Sequence, residues 1–150
     1  MLYLYHKINT SNFVYSMEDI KLVKNYINTN NLISSKDVIL IYNILRDLGL
    51  VTSLKGTKLL NKAIQIVIQS NDEFIIFEDV YKQISLKYSY FNSSQIRNSI
   101  KYAIDTRDEN KSKLNFEKIF GYKYDEYYFT NKNIIEEIAR VVKYKNYKII

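Results

Sequence analysis

The sequence predicts an all-α fold, a compact multi-helix domain containing a helix-turn-helix, and three observations carry that expectation. Proline is absent, so no helix ladder is interrupted. The three glycines, Gly49, Gly56 and Gly121, stand far apart and leave long stretches free to be helical. Between them apolar residues recur every three or four positions, the period of one helix face.

Taken in order, residues 2–8 form a short extended segment. Ser16, with Asp19 three residues on, opens a helix whose apolar series is Ile20, Val23 and Ile27. This helix, residues 17–28, needs a surface for its apolar side; packing on the rest of the chain is the first expectation and self-association the second. Ser34 with Asp37 opens the next helix, carrying Val38, Ile41 and Leu45, and Gly49 stops it from the position after the cap. Gly56 precedes a helix with Leu59, Leu60, Ala63, Ile64, Val67 and Ile68 on one side. Beyond the polar break Ser70-Asn71-Asp72 comes a helix in which Val80, Tyr81, Ile84 and Tyr88 share a face. Asn92 or Ser93 caps its successor, where Ile96, Ile100, Ala103 and Ile104 fall within about 100° of arc. A short apolar piece, residues 114–120, stops at Gly121. The aromatic-rich YKYDEYYFT is compatible with a small hairpin or with an extended stretch. Thr130 or Asn131 caps a last helix with Ile134, Ile135, Ile138, Val141 and Val142.

Composition excludes several chemistries. A chain of 150 residues that is 47% apolar and 25% charged is the size and make-up of one globular domain with a core of its own. It has no cysteine, so zinc ribbons, iron-sulfur sites, thiol nucleophiles and disulfides are out. His6 is the lone histidine, which leaves little room for a Ser-His-Asp triad or a histidine metal site. Three isolated glycines cannot write GxGxxG or a phosphate loop. Adjacent acidic pairs, Asp72-Glu73, Glu78-Asp79, Asp108-Glu109, Asp125-Glu126 and Glu136-Glu137, point about 100° apart on a helix and do not converge on one atom; they read as helix-start charges and solvated faces. The chain is therefore expected not to be an enzyme and to need no cofactor, metal or small-molecule ligand. No apolar run is long enough for a membrane span and the first residues lack a signal peptide, which predicts a cytoplasmic protein.

The net charge of +6 leans toward a polyanionic partner, and its placement is more telling than its size. Residues 81–113 hold seven basic and three acidic side chains, so positive charge gathers where a helix, a polar turn and a second helix follow one another. The exposed arc of that second helix carries Ser94, Gln95, Asn98, Lys101 and Tyr102, with Arg97 at its flank. Asparagine and glutamine pair bidentately with adenine, lysine reaches guanine or phosphate, and small Ser93 and Ser94 let backbone N–H groups approach a phosphate. Lys87, Lys111, Lys143 and Lys145 complete the candidate DNA-binding set as backbone contacts. Arg97 reads as a flank ion pair or a phosphate contact before a base contact.

RDLGLVTSLKG (46–56), LKYSYFNSSQIRNSIKYAID (86–105), IFGYK (119–123) and TNKNIIEEIARVVK (130–143) resemble, in order, stretches of the C-terminal DNA-binding effector domain of the stage-zero sporulation response regulator. The likeness runs over residues 35–143. It implies a six-helix domain whose helix-turn-helix places helix 93–105 in the major groove, and tandem head-to-tail pairing on DNA through the last helix. The sequence departs from that family in three respects. Gln95, Asn98 and Lys101 stand where the family commonly has arginine, Arg97 stands at an acidic position, and the turn is one residue longer near Tyr90 or Phe91. Only 34 residues precede Ser35, so residues 1–34 are expected to be an extension to the domain at 35–150 and not a receiver. The resulting expectation is a receiverless, sequence-selective double-stranded DNA-binding protein, a transcriptional regulator or a plasmid or mobile-element accessory factor. The alternative is an interaction protein that pairs with a full-length sporulation regulator and antagonises it.

Overall fold

The computed structural model describes residues 33–89 and 91–144. The expected segment 2–8, the helix at 17–28, Tyr90 and Lys145 lie outside the described residues. Among those described, six α-helices and one 3-10 turn occur and no strand.

Helix α1, Ser35–Asp47, begins because the Ser34 hydroxyl accepts the Asp37 N–H at 3.2 Å. It ends where Gly49 takes φ +94°. There the Gly49 N–H bonds the Arg46 carbonyl and the Leu50 N–H bonds the Leu45 carbonyl, the paired closure of a Schellman motif.

Helix α2, Lys55–Gln69, is the central element and packs against α1, α3, α4 and the last helix. Its sequence signal showed one apolar side, whereas the structure buries almost all of its circumference, including Thr57, Asn61 and Gln65. These polar groups are satisfied inside: Thr57 donates to the Val51 carbonyl at 2.7 Å, and Gln65 donates to Asn61 at 2.6 Å. Gly56 does not precede this helix but sits in its first turn. A Cβ there would lie 1.9 Å from the Ser99 carbonyl oxygen, so glycine is what lets α2 touch the backbone of α4.

Helix α3, Phe77–Lys87, buries Val80, Tyr81 and Ile84. Helix α4, Ser93–Asp105, buries the four expected residues Ile96, Ile100, Ala103 and Ile104. Helix α5, Glu109–Phe120, starts earlier than the apolar piece suggested, because Asp108 caps it by accepting the N–H groups of Asn110 and Lys111. Leu114, counted with that piece, is 71% exposed. YKYDEYYFT forms no hairpin: Asp125 accepts the Tyr127 N–H and winds Glu126–Tyr128 into the 3-10 turn. Helix α6, Asn131–Tyr144, is capped by the Thr130 hydroxyl, which accepts the Asn133 N–H at 3.2 Å.

Phe116 anchors an aromatic cluster, with the rings of Phe120, Tyr122, Tyr124, Tyr128 and Phe129 at centroid distances of 4.8 to 6.1 Å. Arg107, its side chain 5% exposed, links that cluster to α4. Its guanidinium lies 3.7 Å from the Phe129 ring centroid and donates to the Ile104 carbonyl, Ser112, Tyr124 and Glu126. Ser112 in turn donates to the Leu48 carbonyl, and Asn115 to the Asp47 carbonyl, so α5 satisfies the open end of α1.

Candidate nucleic-acid interface

Helices α3 and α4 pack on each other and are joined by residues 88–92. Asn92 sets the start of α4 by a capping box. Its side chain accepts the Gln95 N–H at 2.8 Å, and the Gln95 side chain accepts the Asn92 N–H at 2.9 Å. Among the described residues the Ser93 and Ser94 N–H groups have no bond of this kind and stay open at the positive end of the helix dipole.

The apolar stripe of α4 is fully buried, which turns Ser94, Gln95, Arg97, Asn98, Lys101 and Tyr102 outward on one solvent-facing arc. Ser93 is half-buried at the first position. The engagement of these side chains differs. Gln95 is committed to the cap through its oxygen. Arg97 pairs with Glu78 of α3 at 3.5 Å and donates to the Ser94 hydroxyl at 3.4 Å, the flank ion pair its position suggested. Lys101 pairs with Asp105 one turn on, at 2.7 Å. Asn98 makes no side-chain hydrogen bond to any described residue, and Tyr102 is 61% exposed.

The basic residues expected to bracket the arc are not all brought to it. Lys87 ends α3 with its ammonium 5.6 Å from the Tyr88 ring centroid, beside the junction with α4. Lys111 lies on α5, which packs against α1 and α6. Lys143 lies near the far end of α6, about 18 Å along the helix from the residue that hydrogen-bonds the α4 backbone. That residue is Asn131, whose amide donates to the Arg97 carbonyl at 2.9 Å and to the Tyr81 hydroxyl at 3.4 Å. Sequence reasoning used Asn131 only as a cap; nothing local signalled that it bridges three helices.

Four of the five acidic pairs contribute a side chain with a structural role. Asp108 and Asp125 cap, Glu78 pairs with Arg97, and Glu137 accepts from Tyr122 at 2.5 Å and from Arg140 at 3.0 Å. Burial, then the bond to Glu137, hold the Tyr122 phenol well above its ordinary pKa. Among the described residues there is no group of three or more acidic or histidine side chains able to hold a metal ion, and no helix long and apolar enough to cross a membrane.

No curated protein and no solved structure gives a significant match to the chain. A family model does: residues 41–142, from the middle of α1 to near the end of α6, match the one described as Sporulation initiation factor Spo0A C terminal. That match covers more than half of the 150 residues and includes every helix contact just described, and the chain belongs to the Spo0A C-terminal domain family.

Proposed function

We propose that this protein is a sequence-selective double-stranded DNA-binding protein in which α3, the turn and α4 form a helix-turn-helix and α4 enters the major groove. The family is that of a DNA-binding effector domain of a transcription regulator, which supports the general reading. The observation that carries the finer one is the outward arc of α4, where Asn98 offers both an amide donor and an acceptor with no partner among the described residues. Asn98 reads a base edge; Lys101 and Arg97 hold the backbone; the open N–H groups at Ser93 and Ser94 take a phosphate. Residues 35–150 act as one DNA-binding unit, extended by residues 1–34, and the protein regulates promoters or serves a mobile element.

A second reading is an interaction protein that pairs with another sporulation regulator without reading DNA. One observation favours it: both cations on α4 already have acidic partners, Glu78 and Asp105. Chromatin immunoprecipitation with sequencing, followed by anisotropy titration on the recovered fragments, separates the readings. Promoter peaks support regulation, and a single cluster at a replication or transfer origin supports the accessory role. Absence of any enriched or bound DNA overturns the proposal in favour of the interaction protein. Binding that uses about six phosphate contacts has a log-log salt slope of about −5.

A further inference from the structure

Over residues 55–66 the solvent-facing side of α2 consists of three lysines. From Lys55 through Ile66 every residue is buried except Lys55, Lys58 and Lys62, which recur at intervals of three and four and share one face. No acidic residue occurs on α2, and none of the three lysines forms an ion pair among the described residues. This differs from α4, whose cations are matched by Glu78 and Asp105.

The stripe lies against the junction that presents α4. The Lys55 ammonium stands 4.7 Å from the ring centroid of Phe91, in the turn that leads into α4. At the other end, Lys62 is close enough to Lys87, the last residue of α3, to feel its charge. Burial first, and then Lys87, pull the Lys62 ammonium below the ordinary lysine value. Like charges held on one face of a central helix repel one another. An anion laid along them reverses the sign of that interaction.

We infer that Lys55, Lys58 and Lys62 of α2, with Lys87 at the end of α3, form a track for the phosphates of one DNA strand beside the groove that α4 enters. The inference rests on the DNA-binding reading and deepens it by adding backbone contacts from α2 to those that α4 makes. The dimensions agree: Lys55 to Lys62 spans about 10 Å of helix, and each ammonium sits on a flexible four-carbon stem, so the three can reach successive phosphates of one strand. A phosphate track also explains how α4 can afford neutralised cations, because base-reading side chains need position more than charge.

The test is anisotropy titration of a labelled random-sequence duplex over a range of salt, with the full chain and with Lys55→Gln/Lys58→Gln/Lys62→Gln. The expected result is a salt slope shallower by about 0.9 per lysine, about 2.7 in all, with affinity lost equally on every sequence. Lys58→Gln alone, at an exposed position that leaves packing intact, is expected to reduce the slope by about 0.9. Lys118→Gln on α5 is expected to leave the slope unchanged. A wild-type slope reproduced by the triple variant overturns the track while leaving DNA binding in place. An equal slope change in Lys118→Gln also overturns it, because net charge alone then accounts for the effect. A wild-type chain that binds no duplex at low salt overturns the DNA reading and the track together.

Discussion

The side-chain amide of Asn131 donates to the backbone carbonyl of Arg97 at 2.9 Å, tying the first turn of α6 to the middle of α4. That carbonyl belongs to the helix whose outer arc carries the candidate DNA-contacting residues, and the same amide reaches the Tyr81 hydroxyl on α3. Replacing Asn131 with alanine is expected to cost about 1 kcal/mol in urea unfolding. Asn131→Asp is expected to cost more, because a carboxylate only accepts and is turned toward a carbonyl. Equal stability of wild type and the alanine variant would show that the bridge contributes nothing.

The glycines should rank by what surrounds them. Gly56→Ala places a Cβ 1.9 Å from the Ser99 carbonyl oxygen, and Gly49→Ala one 2.2 Å from the Asp108 carbonyl oxygen at φ +94°. Both contacts are with backbone, which cannot swing aside, so losses of about 3 kcal/mol or more are expected. Gly121 has φ +86° but nothing within 4 Å, and its alanine variant loses only the conformational preference, about 1 kcal/mol. Chemical denaturation of the three variants checks the order; a Gly121→Ala loss equal to the other two would defeat the steric account.

Acid should loosen the joint between α4 and the aromatic cluster. The Tyr124 hydroxyl bonds the Glu126 carboxylate, and Arg107 pairs with the same group at 3.1 Å. The Tyr124 bond first, and Arg107 after it, hold the Glu126 pKa below its ordinary value of 4.5. A carboxyl whose folded pKa is depressed contributes stability that is present above 4.5 and is lost as pH falls through the lower folded value. Glu126→Gln should therefore be less stable than wild type near neutrality and should show a smaller fall on acidification below 4.5. Parallel pH profiles for the two proteins would contradict this.

Capping was legible in the sequence because it is local. Ser34, Gly49, Asn92 and Thr130 each act through backbone groups within a few residues, and each sits where the pattern of small polar residues and apolar periodicity put it. What depends on distant chain was not legible. Gly56 reads locally as the residue before a helix, because its reason for being glycine is Ser99, far along the chain. Nothing local in the sequence marks Arg107 as buried, yet it packs on Phe129 and donates to the Ile104 carbonyl. On α2 attention to the apolar side hid the complementary signal, three lysines at helical spacing with no acid among them. The outward arc of α4 was readable because its buried stripe is purely aliphatic. That Gln95 is drawn into the cap and Lys101 onto Asp105 required the folded side chains.

On one turn of α4, Asn98 and Lys101 should behave differently toward DNA. The Asn98 amide is exposed and unengaged, and it can offer a donor and an acceptor to one base edge. Lys101 is held by Asp105 at 2.7 Å, but both side chains are more than half exposed, so breaking the pair costs little, about 0.5 kcal/mol. Asn98→Ala should lose about 1 to 3 kcal/mol on the preferred site and relax selectivity at one base pair, leaving the salt slope unchanged. Lys101→Ala should weaken all sequences alike and reduce the slope by about 1. Asp105→Asn, which frees Lys101 and removes a negative charge from the arc, should strengthen binding to every sequence. Anisotropy titrations of the three variants against the preferred site, a single-base variant and random DNA, at two salt concentrations, check all of these together. A uniform loss in Asn98→Ala would move base reading to another residue of the arc, with Tyr102 next to be tested because its side chain is equally unengaged there. A slope unchanged in Lys101→Ala would mean that the ion pair with Asp105 survives on DNA.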